Sequence, residues 1–506
     1  MKKELLRLQD VTYKKDNTII FRNMSFHIMA GEIMGITPLN SYGTDEMLDV
    51  IVNNLPLYYG YVYYQEKCVN SWKEVKHTRN RICMIGSETS LVSGLNVVTN
   101  VFTLRAGFGQ ELLNEKMLAK QLQPFLDEIH SEIDPFMTVE KLSSYKRVLV
   151  EILRAVVAGY HLIILKEINT VISEAELQKL FEIMGYYTKK GFSFIYVSYH
   201  FEEIQQICDR AIVMSEGSIN LIFNKEQIKK GIREELYIDY YNHVSQRLEH
   251  RARNNYERPR EKEVLYVKDI SGKYLNRFQF KVYDGECLVI QSLDTKMYRE
   301  FIEIFENKEG LKNIEILVDG KQVKDYRSRE IAFLKEEPTQ TMLFEHLTVC
   351  DNLCIGLDDK IPSIWMRQKV QKSVQEEYFR IFGEDIFDCD IHDLTDEQKT
   401  RVVYMRILLE KPKVVFMVQP FKHAGIPHRL QVWELQTLLL ERGISIVILA
   451  MNMSDSLAIA DRVIRISRNA GQLTAKEFTY QQFSELPMSL PWVFYFDEME
   501  NKKDNI

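Results

Sequence analysis

The residues with the clearest chemical potential lie in residues 31–51, GEIMGITPLNSYGTDEMLDVI. Residues 32–36 read as a short buried parallel strand, and Met47, Leu48 and Ile51 recur at helical spacing. Strand, loop and helix in this order are the setting of a phosphate-binding G-x-x-x-x-G-K-S/T loop. There, inward-turned backbone N–H groups cradle the phosphates, a Lys reaches the β- and γ-phosphates, and Ser/Thr holds Mg²⁺. This loop carries different chemistry. Pro38, at the first glycine position, has no N–H to give. Asn40, Ser41 and Gly43 keep the spacing, but Thr44 stands at the Lys position and Asp45 and Glu46 at the Ser/Thr positions. Two carboxylates occupy the place where a polyanion docks. Alone, the segment reads as a plain strand–helix turn.

The elements that position this loop are written twice. Gly31-Glu32 is echoed by Gly285-Glu286, an offset of 254. Asn100 is echoed by Asn352, Leu142 by Leu394 and Asp209 by Asp461, each at an offset of 252. Four anchors at nearly one offset indicate a tandem duplication of one module. Each copy opens with two amphipathic strands (5–11 and 19–27; 264–270 and 277–282). The loop at the phosphate position follows, then a helical insertion (114–130; 364–382). A helix opening with Leu-Ser or Leu-Thr comes next. An apolar strand (162–165; 414–417), a helix and a last apolar strand (192–197; 445–449) complete the copy. Strands alternating with helices predict an α/β fold with a mostly parallel core sheet, an antiparallel β subdomain and a helical insertion in each module. Expected boundaries are 1–224 for the first module, 225–262 for a charged linker, 263–490 for the second module and 491–506 for a tail.

The 506 residues suffice for two to four domains at about 150 residues each. Net charge is −7, which argues against bulk nucleic-acid binding, and acidic residues interrupt the basic tract HRARNNYERPREKE in the linker. No apolar run approaches the ~20 residues of a membrane span. The opening MKKELLRLQDV lacks the apolar core of a signal peptide. Seven scattered cysteines fit a reducing cytosol. Cys350-x-x-x-Cys354 has the spacing of a metal half-site, but without a second pair it reads as two small apolar residues on a helix.

In this order the residues resemble ABC ATPases: strand, phosphate loop, Gln-loop, signature, acidic strand end, D-loop and switch position. The matching stretches are VEILRAV, LIILKEINTVISEAELQKLFEI, VSYHFEEIQQICDRAIVMSEGSI and LEKPKVVFMVQPF. The tandem form on one chain resembles the ATP-binding subunit of ribose- and galactose-type sugar importers, from the first strands to about Leu473, the linker excepted. The resemblance implies two composite sites, each joining the loop of one half to the signature of the other.

Carried over position by position, the first site has Thr44 for the Lys, Asp45 for the Ser and Ser87 at the Gln-loop. Lys166 replaces the metal-side Asp, Glu167 keeps the general-base position, and Tyr199, followed by His200, replaces the switch His. The facing signature is Leu394, Thr395, Asp396, Glu397, Gln398. Because Ser/Thr and the strand-end Asp face one Mg²⁺ in the family, two arrangements are open: Lys166 pairs with Asp45, with Glu46 as a further partner, the ammonium replacing the metal, or both side chains point to solvent.

The second site has Ser292, Thr295 and Met297 at glycine positions, Tyr298 at the Lys and Arg299 at the Thr. Large and β-branched residues fit poorly where left-handed backbone is needed. Lys296 and Arg299 retain anion attraction. Glu336 falls near the Gln-loop, Val418 and Gln419 replace Asp-Glu, and Met451 replaces the switch His. The opposing signature Leu142, Ser143, Ser144 puts Tyr145 at a glycine. Tyr13 is a candidate for stacking on an adenine or for a plain sheet surface.

The resemblance implies a subunit that couples ATP-driven closure to a membrane permease through residues 87–104 and 336–357. It would be peripheral to the inner face of the cell membrane and bind no nucleic acid. The substitutions imply weakened ATP binding, no metal ligands for Mg²⁺, and impaired hydrolysis, since the lost charges supply several kcal/mol in such sites. Three alternatives stand beside this: a divergent but working ATPase, a ribosome-acting tandem factor, and an interaction protein unrelated to transport.

Overall fold

The protein is described from a computed structural model covering residues 3–39, 42–74, 79–103, 114–230, 262–306, 314–323, 330–355, 357, 367–387, 389–422, 424–452, 456–469 and 472–485. These fall into two compact units, each an α/β module. Asn40, Ser41, nearly all of the expected linker and the expected tail lie outside the described residues.

In the first module β1 (Glu4–Lys15), β2 (Thr18–Met29), β4 (Tyr59–Tyr64) and β5 (Lys67–Ser71) form an antiparallel sheet in the order β2-β1-β4-β5. The core sheet joins β3 (Ile33–Pro38), β6 (Ile82–Ile85), β7 (Leu162–Lys166), β8 (Ser193–Val197), β9 (Arg210–Ser215) and β10 (Ser218–Asn224) in the order β10-β9-β3-β8-β7-β6. Its pairings are parallel except at β9–β10. Strands β3 and β8 are buried throughout, as continuous apolar runs between covering layers must be. The helices are α1 (Thr44–Asn53), α2 (Val97–Phe102), α3 (Glu115–Glu128), α4 (Ser144–Val157), α5 (Glu174–Lys189), α6 (Phe201–Ile207) and α7 (Lys225–Lys230).

Composition assigns Lys225 onward to the linker, yet α7 packs on the first module. Ile228 is buried, its carbonyl accepts from Gln205 Nε2 at 3.2 Å, and Lys225 pairs with Asp209 at 2.8 Å.

The second module repeats the plan. Strands β11 (Glu263–Ile270), β12 (Phe278–Tyr283), β14 (Glu315–Val318) and β15 (Lys321–Val323) form the antiparallel sheet β12-β11-β14-β15. Its core sheet has the order β16-β17-β18-β13-β19-β20, from β13 (Cys287–Ser292), β16 (Ile331–Leu334), β17 (Val414–Val418), β18 (Ser445–Ala450), β19 (Arg462–Asn469) and β20 (Gln472–Thr479). Read from the other edge, that is the strand order of the first module. Its helices are α8 (Thr295–Glu306), α9 (Pro338–Thr341), α10 (Val349–Cys354), α11 (Arg367–Phe382), α12 (Asp396–Glu410) and α13 (Ile426–Glu441).

The duplication extends to single hydrogen bonds. Asp209 accepts from Ile33 N at 3.1 Å and Asp461 from Cys287 N at 2.7 Å. Ser193 and Ser445 accept from Gly31 N and Gly285 N at 2.9 and 3.0 Å.

Candidate functional site

The loop between β3 and α1 turns through Gly43, whose φ of 79° is left-handed. A Cβ there would lie 3.0 Å from Gly217 Cα, so only glycine suits both the angle and the space. Helix α1 then opens with Asp45 and Glu46, and carboxylates in a first turn complement the helix dipole. Strand β7 ends at Lys166, and Glu167 follows with φ 52°, its N–H bonded to Val197 O at 2.9 Å. A non-glycine residue held in the left-handed region stores about 1–3 kcal/mol of strain, which this strand-end bond helps to hold.

These turns bring loop and strand end together. Lys166 Nζ lies 2.6 Å from Asp45 Oδ1 and 4.0 Å from Glu167 Oε1. Lys15 Nζ lies 4.0 Å from Glu46 Oε1. Of the two arrangements open from the sequence, the pair forms, with Glu46 served by Lys15 instead. Thr44, at the Lys position, is buried, and its hydroxyl finds no hydrogen-bond partner among the described residues. Tyr199 is buried and His200 is the N-cap residue of α6. Tyr13 stacks on Phe21 with centroids 5.6 Å apart.

Ser87 is exposed just past β6, and the segment after it is pinned to α4. Thr89 Oγ1 and Ser90 N donate to the buried Glu151 at 2.7 and 2.6 Å, and Arg154 Nη1 donates to Ser90 O at 3.1 Å. Arg406 repeats that last contact on Met342 O at 2.7 Å. The signature positions are helix starts. Ser143 Oγ accepts from Lys146 N at 3.3 Å, and Thr395 with Gln398 forms a capping box. Leu142 and Ser144 are buried, whereas Thr395, Asp396 and Glu397 are exposed. Burial, then Glu176 and Glu182, push the Tyr145 phenol up to about 12.

The second module arrives at another arrangement. Asp294 Oδ1 accepts from Lys296 N at 2.8 Å and Met297 N at 3.1 Å, so a carboxylate caps α8. The cap is legible in principle as Asp before Thr-Lys at a helix start. Lys296 and Arg299 are exposed. Tyr298 is buried, and burial and then Glu336 push its phenol well above the ordinary value.

Glu336 accepts from Gln419 Nε2 at 3.0 Å and from Lys422 Nζ at 3.1 Å, and Lys422 also reaches Glu337 at 3.0 Å. Burial works against the Lys422 ammonium, but the two carboxylates outweigh it and raise its pKa. No sequence signal marks Lys422, because its partner is 86 residues away. Gln419 has φ 42°, matching Glu167, and its N–H meets Leu449 O at 3.0 Å. Val418 and Met451 are buried.

Among the described residues of the first loop, the Lys166 ammonium occupies the side of Asp45 that faces the strand end. Mg²⁺ takes octahedral oxygen ligands at short range, and an ammonium beside Asp45 supplies none. Among the described residues no three His, Cys, Asp or Glu side chains are placed to hold a metal, and no helix is long and apolar enough to cross a membrane.

A family model described as ABC transporter matches residues 21–169. The ribose import ATP-binding protein RbsA of Oceanobacillus iheyensis is 23% identical, covering 92% of this chain and 94% of that protein. The xylose import ATP-binding protein XylG of Moorella thermoacetica is also 23% identical, covering 94% and 97%. The galactose/methyl galactoside import ATP-binding protein MglA of Clostridium tetani is 27% identical, covering 80% and 82%. An ATP-binding cassette of an ABC transporter, solved in its ADP conformation, aligns with 47% of the chain and 98% of its own at a TM-score of 0.41 and 18% identity. The chain is a tandem of two α/β modules, similar over most of its length to the ATP-binding proteins of ribose, xylose and galactose import.

Proposed function

We propose that the chain is the cassette subunit of a carbohydrate importer, bound to a membrane permease at the cytoplasmic face of the membrane, with weak or absent ATP hydrolysis. The cargo class follows from the relatives' names. What supports the docking is a surface built twice. Val92 and Leu95 are 56% and 39% exposed, and Phe344 and Leu347, at an offset of 252, are 53% and 41% exposed. Buried Asn100 and Asn352 hold these two loops with the same bonds. Asn100 accepts from Val92 N and donates to Val92 O, Leu95 O and Asn96 O. Asn352 accepts from Phe344 N and donates to Phe344 O, Leu347 O and Thr348 O. Exposed apolar tips held on hydrogen-bonded bases suit contact with a partner protein.

Co-expression with the permease subunits of a ribose/galactose-type importer tests this reading. The chain should co-purify with them, and Val92→Asp with Phe344→Asp should abolish the association. A chain that never co-purifies overturns the reading.

A second reading, a working ATPase that energises import, is favoured by the retained Glu167 and by the likeness to proteins named for ATP binding. Phosphate release abolished by Glu167→Gln would establish it.

A further inference from the structure

We propose that the Lys166–Asp45 salt bridge stands in the first module where Mg²⁺ and nucleotide would otherwise join strand end to loop, and that in the second module an ammonium bridges the ends of β16 and β17, so that side chains of the chain itself hold these strand ends. The inference rests on the cassette reading and concerns how its sites are held.

In phosphate-loop proteins Mg²⁺ is gripped between the loop Ser/Thr and an Asp at a strand end, and so ties the two elements together. Here the cation is a side chain of the protein itself. The Lys166 ammonium, at the end of β7, meets Asp45 on the first turn of α1 at 2.6 Å. Lys15 stands 4.0 Å from the neighbouring Glu46, so both carboxylates of that turn face a cation. A divalent cation entering would have to displace the ammonium, and a phosphate would have to displace a carboxylate.

The second module carries a bridge of unrelated residues, between the ends of β16 and β17. Val418 and Arg299 stand at the positions of Lys166 and Asp45 and cannot repeat the pair. Instead Lys422, just past β17, is 3.1 Å from Glu336 and 3.0 Å from Glu337, and Gln419 adds a hydrogen bond to Glu336 at 3.0 Å. The N-terminus of α8, where a phosphate would rest against backbone N–H groups, is filled by Asp294. In both modules, then, an ammonium meets a carboxylate at or just past the end of the core strand that would face the metal.

Hydrogen exchange on the full chain tests the proposal, with Mg²⁺ alone, ATP in EDTA, and Mg·ATP as probes. Exchange in residues 33–53, 287–306 and 330–341 should be the same under all three as in buffer. Lys166→Met and Asp45→Asn should each speed exchange in residues 44–53 several-fold, and the double variant should add nothing further. Lys422→Met should do the same in residues 330–341. Unchanged exchange in the core strands of the mutated module, residues 193–197 for Lys166→Met and Asp45→Asn and residues 445–450 for Lys422→Met, shows that each variant is folded. Slowing of residues 33–53 or 287–306 in the unmodified chain by Mg·ATP overturns the proposal, as does a Lys166→Met variant that exchanges like the parent. If a variant fails to fold, the unmodified chain decides alone. Permease association is independent of these outcomes, so the cassette reading stands or falls separately.

Discussion

Glu286 and Arg462 lie almost wholly out of solvent, and their side chains are 2.8 Å apart. Glu286 also accepts from Tyr283 N, and Arg462 reaches Glu477 at 3.0 Å. Removing one member of such a pair leaves a buried charge without its partner, which costs about 3–5 kcal/mol. Arg462→Met should therefore lower the unfolding free energy of the second module by about 3 kcal/mol, read from urea denaturation. The first module holds the matching pair Arg210–Glu32 at 3.2 Å, with Arg210 24% exposed, and Arg210→Met should cost less.

A pH effect belongs at the same scale. Burial lowers the His428 pKa against the opposing pull of Asp396 and Glu397, and its Nε2 faces Thr400 Oγ1 at 3.0 Å. Folding therefore disfavours the protonated ring relative to the unfolded chain, in which it titrates near 6.5. The unfolded state then binds the extra proton, so stability falls as pH drops through and below about 6.5. Comparing unfolding midpoints at neutral and mildly acid pH should show that His428→Gln removes part of this loss.

At the scale of elements, the buried asparagines are the most exposed to test. Asn100→Ala deletes one acceptor and three donor contacts, leaving backbone groups of residues 92–96 short of partners. Each buried group left unsatisfied costs about 1–3 kcal/mol. The variant should lose about 2–3 kcal/mol of stability and show faster exchange in residues 90–97, and Asn352→Ala should act likewise on residues 342–349.

Most elements were legible because their signals are local. Alternation marks the outer strands, continuous apolar runs mark the core strands, and the 252-residue offset marks the repeat. Strand β1 runs further than its alternation suggests, because Asp10 at φ 51° sits in a bulge that shifts register between Leu8 and Val11. The Asp45–Lys166 pair was legible because both positions belong to one motif frame. Lys422 and Glu336 were not, since only the parallel pairing of β16 with β17 brings their strand ends together.

At the scale of the whole chain, the two modules share strand order, helix starts, loop-anchoring asparagines and strand-end turns, while the residues at the loop and strand-end positions differ between them. A framework kept to single hydrogen bonds is what a docking partner requires, because its surfaces must stay in place whether or not nucleotide is split. Phosphate release by the purified chain with Mg·ATP, alone and with its permease, tests this most directly. The rate should be no higher than that of the Glu167→Gln variant under either condition. Turnover on the order of 1 s⁻¹ or faster that Glu167→Gln abolishes would contradict it.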